Sequence, residues 1–230
     1  MESVEFLGRY RLTQSDACFK LGRDSVLLAR FCTLRPRWSV CDLGCGVGSL
    51  LLLLSQREEA LDRVGVELDP VAAGLARRNL SDNGLEGQVL TGDLRDRALL
   101  KGDRFQLVIA NPPYFRAGSG KSGGQARMDD TCPVDDLCRA AGRLAKTGGR
   151  FALVYRPERL AELFAALQGA RLEPKRIQLV QDRPGAQPKL ALLDAVKGGG
   201  SQLHWLPPLV LREADGSWSG QWREIYGEEA

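Results

Sequence analysis

A glycine-rich segment, DLGCGVG at residues 42–48, constrains the fold of this chain more than any other part of the sequence. It joins a short apolar run at residues 39–43 to a leucine-rich stretch at residues 49–57. Glycines at alternate positions allow positive φ angles and let a ligand approach the backbone closely, and a helix that begins behind such a loop presents free N–H groups. The segment therefore predicts a strand, a tight loop and a helix arranged around a small-molecule cofactor.

The spacing of the loop glycines and two acidic residues downstream narrow the type of cofactor. The glycines follow a G-x-G-x-G pattern, not the G-x-G-x-x-G of dinucleotide-binding loops. Glu67 ends the second apolar run, where a carboxylate can accept hydrogen bonds from both ribose hydroxyls, and Asp93 follows the third, where it can accept from an adenine amino group. We expect an adenosine-containing cofactor, held by Asp42, Gly44, Cys45, Gly46, Gly48, Glu67, Leu68, Asp93, Leu94 and Asn111.

Short runs rich in Val, Leu and Ile alternate with helical stretches along the chain, which predicts an α/β fold. The predicted strands are residues 39–43, 63–67, 88–91, 105–110, 150–155, 175–181 and 190–197. The predicted helices are residues 25–32, 49–57, 70–82, 134–146 and 158–167. We expect a Rossmann-like, doubly wound, mostly parallel seven-stranded sheet, with an antiparallel hairpin at one edge formed by the last two strands.

The same pattern suggests one domain with three parts. Residues 39–197 form the core, residues 1–38 are a segment that caps the cofactor and substrate, and residues 198–230 are a tail that holds three of the four tryptophans. With 230 residues, 43% of them apolar, the chain is long enough for a sizeable core. No apolar run approaches a membrane span of about 20 residues, and the first residues do not resemble a signal peptide. We therefore expect a cytoplasmic protein without membrane contact.

Composition also excludes several kinds of site. His204 is the only histidine, which argues against Ser-His or Cys-His catalysis and against a histidine-rich metal site. The six cysteines lack the two closely spaced pairs that a zinc site requires. We expect reduced thiols and no metal. The cysteines are Cys18, Cys32, Cys41, Cys45, Cys132 and Cys138.

A second motif, NPPYF at residues 111–115, follows the fourth predicted strand and therefore lies beside the glycine loop. Two consecutive prolines fix the backbone and remove two donors. The side-chain oxygen of Asn111 and the carbonyl of Pro112 can each accept a hydrogen bond from one N–H of a planar amine. That arrangement would direct the nitrogen lone pair at an electrophile, and Tyr114 can stack on a base. We expect Asn111, Pro112, Pro113 and Tyr114 to be the catalytic residues.

Together these motifs resemble class I S-adenosylmethionine-dependent methyltransferases that modify planar amino groups. FKLGRDSVLLA at residues 19–29, Arg127, KTGGRFALVYRPERL at residues 146–160 and Pro-Pro-Leu at residues 207–209 are similar to the bacterial tRNA(Val) adenine-N(6) methyltransferase family. The resemblance implies S-adenosylmethionine as cofactor and, as substrate, the adenine next to the anticodon of the valine tRNA. It also implies that Lys20, Gly22, Asp24 and Ser25 close the cofactor pocket.

RNA is the expected partner of a monomer or weak dimer. Residues 116–197 contain 15 Lys and Arg against 9 Asp and Glu, a balance suited to phosphates. We expect Arg116, Lys121 and Arg127 of this basic segment to bind the phosphates, with Phe115 as a further substrate contact. Arg139 and Arg143 are further candidates for phosphate contacts.

Four other functions fit parts of the sequence. A release-factor-type glutamine methyltransferase also uses NPPY, but such enzymes carry a longer helical N-terminal domain than the 38 residues found here. A DNA adenine methyltransferase would be expected to have a separate recognition domain, and a small-molecule amine is a further possible acceptor. A non-catalytic module that only binds RNA is the alternative from a different class, and the intact NPPY and glycine motifs argue against it.

Overall fold

The computed structural model describes residues 1–112 and 133–226. Its strands are β1 (Glu2–Leu7), β2 (Tyr10–Ser15), β3 (Ser39–Leu43), β4 (Asp62–Glu67), β5 (Gln88–Thr91), β6 (Phe105–Ala110), β7 (Ala145–Tyr155), β8 (Leu172–Gln181), β9 (Leu190–Lys197), β10 (His204–Trp205) and β11 (Leu209–Val210). Its helices are α1 (Arg23–Phe31), α2 (Ser49–Arg57), α3 (Pro70–Asp82), α4 (Val134–Leu144), α5 (Leu160–Gly169) and α6 (Gly220–Tyr226), with a short 3-10 turn at Pro157–Arg159.

Most strands belong to one sheet, in the order β10-β8-β9-β7-β6-β3-β4-β5, with β11 also beside β8. Strands β5, β4, β3, β6 and β7 run parallel, and β9 lies antiparallel between β7 and β8. The side chains that this sheet buries form two apolar clusters. One cluster includes α1, α2 and α3, and the other includes α4 and α5, as expected of a doubly wound sheet.

The predicted architecture is confirmed, with additions at both ends of the chain. All seven predicted strands are present, and β8 and β9 form the expected antiparallel pair. In the described part of the chain the sheet has nine strands, because two short tail strands, β10 and β11, pair with β8. The N-terminal segment also contains a separate hairpin, β1–β2, which the sequence did not predict.

Helix α4 ends two residues earlier than predicted. Ala145 already has extended backbone angles, φ −64° and ψ 140°, so β7 begins there and includes the predicted helix end and the two glycines after it. Gly149 runs so close to the neighbouring backbone that a Cβ would lie 2.8 Å from the carbonyl oxygens of Phe105 and Lys146. The glycines therefore allow a tight passage within β7, rather than ending the helix.

A buried asparagine on α3 attaches the N-terminal hairpin to the core. Asn79 Oδ1 accepts from Thr13 N at 2.9 Å, and its Nδ2 donates to the carbonyls of Thr13 at 2.9 Å and Val47 at 2.8 Å. Asn79 is 1% exposed, so all three contacts are shielded from water. Because Val47 lies in the glycine loop, one side chain fixes the hairpin and the loop together.

The tail packs against the other end of the N-terminal segment. Trp222 on α6 is 3% exposed, and α6 contacts α1. On the sheet, the buried carboxylate of Asp194 accepts from the guanidinium groups of Arg150 and Arg176. Arg176 also donates to the carbonyl of Phe31, which ties the end of α1 to the sheet. Across residues 1–112 and 133–226, none of the helices is both long and apolar enough to cross a membrane.

Candidate active site

The glycine loop has the backbone geometry that its sequence predicts. Gly44, Gly46 and Gly48 have φ angles of 73°, 54° and 84°, in the left-handed region where a side chain is strained. The N–H groups of Gly44 and Cys45 donate to the carbonyl of Val66, at 2.8 and 3.1 Å, so the loop folds over the end of β4. Gly48 directly precedes α2, and the loop is thereby fixed between β3 and the start of that helix.

Glu67 at the end of β4 is held by two backbone donors. Its Oε2 accepts from Gly46 N at 2.8 Å, and its Oε1 accepts from Asp69 N at 2.9 Å. The residue is 5% exposed, so the carboxylate has little freedom to move. Each oxygen retains a further lone pair with which it can accept from a diol, as its predicted role requires.

Asp42 is the most unusual group of the site. The residue is fully buried, and neither of its carboxylate oxygens has a hydrogen-bond partner in the part of the chain that the structure describes. Burial, together with the nearby charge of Glu67, raises the pKa of Asp42 to about 8. A buried carboxyl group without a donor is costly in a structural role and is typical of a binding site.

Three further residues predicted to bind the cofactor, Cys45, Leu68 and Leu94, differ in what they expose to a ligand. The side chain of Cys45 turns toward β4, where a Cβ on Gly65 would lie 2.7 Å from its sulfur, so only the Cys45 backbone is open to a ligand. Leu68 is 51% exposed directly after Glu67, and Leu94 is partly buried. Both are apolar surfaces near the ends of β4 and β5.

Asp93 has an internal partner. Its carboxylate accepts from the backbone N–H and the guanidinium of Arg95, and the guanidinium hydrogen bonds lower the pKa of Asp93. Asp93 therefore remains ionised and able to accept, but a ligand amino group would share it with Arg95. The predicted role of Asp93 is thus compatible with its geometry and stays a prediction.

A hydrogen bond joins the N-terminal segment to the NPPY motif. Asn111 Nδ2 donates to the hydroxyl of Ser25 at 2.9 Å, and Ser25 lies in the first turn of α1. Burial raises the pKa of the neighbouring Asp24, while the charges of Arg156 and Arg23 lower it. Ser25 and Asn111 are 86 residues apart in the chain, so only the folded N-terminal segment brings them together.

The other predicted residues of this segment are exposed. Lys20 forms an ion pair with Asp16 at 2.7 Å, and Gly22 precedes α1 with open space where a Cβ would be. Burial and the charges of Asp69 and Glu67 raise the pKa of Cys18, so this part of the segment also lies near the cofactor loop. Of the predicted catalytic residues, Asn111 and Pro112 are described. The others, with the predicted substrate contacts, lie outside the described residues, namely Pro113, Tyr114, Phe115, Arg116, Lys121 and Arg127.

Arg139 and Arg143, predicted to bind phosphates, line one cleft of about 220 Å³ on α4. Arg139 pairs with Asp136 in the same cleft, and Arg143 donates to the carbonyl of Leu100 at 2.7 Å. Burial lowers the pKa of Arg143. Arg143 therefore has a structural contact as well, and its role toward phosphates stays a prediction.

Sequence reasoning missed two residues that shape the site. Asn79 fixes the glycine loop, and the signal for it was an asparagine within a helix, where this residue is disfavoured unless its side chain has a partner. Arg156 follows β7 and contributes positive charge beside Asp24. Arg156 lies in the family-like segment at residues 146–160, but no role of its own was predicted for it from the sequence. Among the described residues, no cluster of three or more His, Cys, Asp or Glu could hold a metal ion.

Comparison with known proteins places this geometry in a family. The model of the methyltransferase small domain matches residues 20–168. A tRNA1(Val) (adenine(37)-N6)-methyltransferase of Dickeya chrysanthemi is 32% identical over 222 residues, covering 91% of this chain and 87% of the relative. One from Porphyromonas gingivalis is 31% identical over 196 residues, covering 80% of this chain and 77% of the relative.

A solved structure has a similar fold. A predicted O-methyltransferase from Agrobacterium tumefaciens has 28% sequence identity and a TM-score of 0.75, with 89% of this chain and 95% of that chain covered. The sequence matches extend over most of the chain and include the glycine loop and strand β6, which Asn111 directly follows. The chain therefore belongs to the methyltransferase small domain family, among the relatives of the tRNA1(Val) adenine N6-methyltransferases.

Proposed function

We propose that this protein transfers the methyl group of S-adenosylmethionine to the exocyclic N6 amine of an adenine in tRNA. The names of its near-full-length relatives specify adenine 37 of tRNA1(Val). The observation that carries the proposal is the Asn111–Ser25 hydrogen bond at the carboxyl end of β6, because it orients the amide at the position where the motif needs an acceptor. We further propose that the protein acts in the cytoplasm as a monomer or weak dimer, without a metal.

The residues of the cofactor loop suit S-adenosylmethionine. Asp42 is a buried carboxyl group without a donor, and the cofactor carries a positive ammonium and sulfonium. Glu67 is fixed at the end of β4 with lone pairs for the ribose hydroxyls, and the exposed side chain of Leu68 beside it is suited to the face of an adenine ring. When bound, the cofactor supplies an electrophilic methyl group.

The chain's part in the reaction is to hold and orient the amine. Because Asn111 Nδ2 donates to Ser25, Asn111 Oδ1 is the atom that accepts from one N–H of the target amine. The Pro112 carbonyl is the second acceptor, since the two consecutive prolines fix the backbone and place no N–H donor beside it. These acceptors increase electron density on nitrogen as its bond to carbon forms, and rigid placement lowers the entropic cost. A strong general base is not needed at the start, because the N–H proton becomes acidic only as nitrogen acquires positive charge.

The experiment is transfer of labelled methyl to total tRNA, followed by digestion to nucleosides. We expect label in N(6)-methyladenosine with the wild type and a loss of more than 100-fold with Asn111→Ala, because the variant lacks the acceptor side chain. Asn83→Ala is the matched control, since within the described residues the Asn83 side chain bonds to the backbone of Arg11 and of Asn79, away from the acceptor site. Label in a ribose or other oxygen would contradict an amine acceptor, which matters because one structural relative is titled an O-methyltransferase. If release factors or DNA are labelled and tRNA is not, tRNA is not the substrate and the labelled molecule is.

A further inference from the structure

Three arginines and one tryptophan form a surface cluster that the reaction does not use. The guanidinium carbons of Arg23 and Arg212 lie 5.7 and 4.4 Å from the ring centroid of Trp218. A Cβ on Gly216, in the turn before Trp218, would lie 3.6 Å from the guanidinium of Arg183. We call Arg23, Arg183, Arg212 and Trp218 the arginine–tryptophan cluster. It joins the tail, the end of β8 and the start of α1.

The cluster lies at the same edge of the sheet as the acceptor motif. Strand β8 runs antiparallel to β9, which runs antiparallel to β7, so β8 points in the same direction as β7 and β6. Arg212 N donates to the carbonyl of Asp182 at 2.9 Å, directly beyond the carboxyl end of β8. At about 4.8 Å per strand, three to four strand spacings separate β6 from β8 and β11. The part of the cluster beside β8 and β11 is therefore three to four strand spacings from β6, roughly 14–19 Å, along the carboxyl edge.

Most hydrogen-bond donors of the cluster are uncommitted. Within residues 1–112 and 133–226, the guanidinium groups of Arg23 and Arg183 have no hydrogen bond or ion pair, and the ion-pair neighbour of Arg212 is Asp182 at 3.9 Å. The nearby carboxylate of Asp215 accepts from the backbone and hydroxyl of Ser217. A guanidinium over a ring is attracted by the π face while its N–H groups remain available in its own plane. Arg23 and Arg212 are thus held over the Trp218 ring without using the donors of their terminal nitrogens.

Aromatic residues of the tail hold the ring of Trp218 in place. Trp218 packs at 5.4 Å against Trp222, whose ring stacks at 5.2 Å on Tyr226. Trp222 is buried, and the Ser219 hydroxyl accepts from Trp222 N at 3.0 Å while donating to the carbonyl of Val210 at 2.6 Å. A cluster preorganised in this way loses little conformational entropy when it binds.

We propose that the arginine–tryptophan cluster binds the sugar-phosphate backbone of the RNA substrate, on the side of the target adenine away from the cofactor loop. The inference rests on the proposed function, and it gives the C-terminal tail a role in substrate binding. Backbone phosphates fit because guanidinium groups bind them bidentately. The position also fits, because a nucleotide chain whose adenine reaches Asn111 must continue along the same edge of the sheet.

The chain offers a matched control at the opposite edge. Arg35 lies 5.9 Å over the ring of Trp38, which directly precedes β3, so the same chemistry is present at the amino ends of the strands. If any exposed arginine beside a tryptophan assisted RNA binding, Arg35 would do so as well. If the carboxyl edge is required, Arg35→Ala leaves RNA affinity unchanged.

The test is tRNA binding measured against salt concentration. Each phosphate contact on single-stranded nucleic acid contributes a slope of about 0.7 in the logarithm of affinity against the logarithm of salt. We expect Arg183→Ala/Arg212→Ala to lower the slope by about 1.4. If the two proteins bind equally at 1 M salt, this difference in slope makes the variant's binding weaker by about 60-fold at 50 mM and about 10-fold at 200 mM. The variant Arg183→Lys/Arg212→Lys retains both charges and should restore most of the slope. Thermal unfolding midpoints check that the alanine variant is folded.

The outcomes separate this inference from the proposed function. If the double alanine variant is folded and keeps the wild-type salt slope, the cluster does not bind the RNA backbone, even where the wild type methylates tRNA. An equal loss with Arg35→Ala would also overturn the inference, because the effect would then be general charge. If the wild type neither binds nor methylates tRNA, the proposed function fails first. A wild type that methylates a protein substrate would refute both.

Discussion

Asp42 provides the sharpest test of how the cofactor loop is built. Its pKa is about 8 in the folded protein and 3.8 for an ordinary aspartate. Between these values the folded state retains a proton that the unfolded state has released, so folding becomes less favourable as the pH rises. Asp42→Asn removes this ionisation and changes little else in size. The variant should therefore be more stable than the wild type, by an amount that depends on pH.

The expected magnitude follows from the two pKa values. Each pH unit between 3.8 and about 8 adds about 1.4 kcal/mol to the advantage of the variant, which amounts to about 4 kcal/mol at pH 7. For a chain of this length, 1 kcal/mol raises the unfolding midpoint by about 2–4 °C. We expect a rise of about 8–16 °C at pH 7, and almost none at pH 4, where both side chains are neutral.

The assay is thermal unfolding of both proteins without ligand, at unit steps from pH 4 to pH 8. Asp194→Asn is the matched control, because Asp194 is equally buried but accepts from Arg150 and Arg176. Removing its charge leaves two cations without their partner and should destabilise the protein by about 3–5 kcal/mol. A difference between Asp42→Asn and the wild type that stays constant with pH would refute the reasoning. If the more stable variant loses affinity for S-adenosylhomocysteine, the carboxyl group of Asp42 serves cofactor binding.

Three further predictions concern the hydrogen bonds around the site. Ser25→Ala should lower kcat for tRNA methylation about 2–13-fold, because the bond to Asn111 contributes about 0.5–1.5 kcal/mol; an unchanged kcat would rule out this positioning role. Glu67→Gln should weaken S-adenosylhomocysteine binding about 10–150-fold by calorimetry, since a charged hydrogen bond contributes about 1.5–3 kcal/mol; an unchanged Kd would remove Glu67 from the site. Asn79→Ala should lower the unfolding midpoint by about 6–12 °C, because it leaves buried groups of Thr13 and Val47 unpaired at a cost of about 3 kcal/mol. A shift below 2 °C would mean that the hairpin is held by other contacts.

Local pattern predicted the core of this fold well, because its elements carry their own signals. Asp69 caps α3 by accepting from Val71 N at 2.9 Å, and Pro70 follows it, so the start of that helix was visible in the sequence. The strand limits 39–43, 88–91 and 105–110 agree with β3, β5 and β6, since each is a compact apolar run. The positive φ angles of the three loop glycines were predicted from their alternate spacing, because glycine adopts such angles without strain.

The N-terminal hairpin and the tail strands could not be predicted from local pattern. Strand β1 is mostly exposed and lacks a clean alternation of apolar and polar residues. Strands β10 and β11 are two residues long and exist only because β8 offers them an unpaired edge. That the Asp42 carboxyl lacks a donor among the described residues, and that Asp93 pairs with Arg95, could not be predicted either. Whether a carboxylate has a donor depends on the packing of residues that lie far apart in the sequence, or on a neighbour's rotamer, as with Arg95.

The N-terminal segment connects the two halves of the site through separate contacts. Asn79 joins the hairpin at Thr13 to the glycine loop at Val47, and Ser25 on α1 bonds to Asn111 in the acceptor motif. Between them, the buried side chain of Gln14 accepts from Leu21 N and fixes the path of the chain from hairpin to helix. A displacement of the segment therefore changes the cofactor loop and the amide together. We therefore expect the segment to set the distance between methyl donor and acceptor.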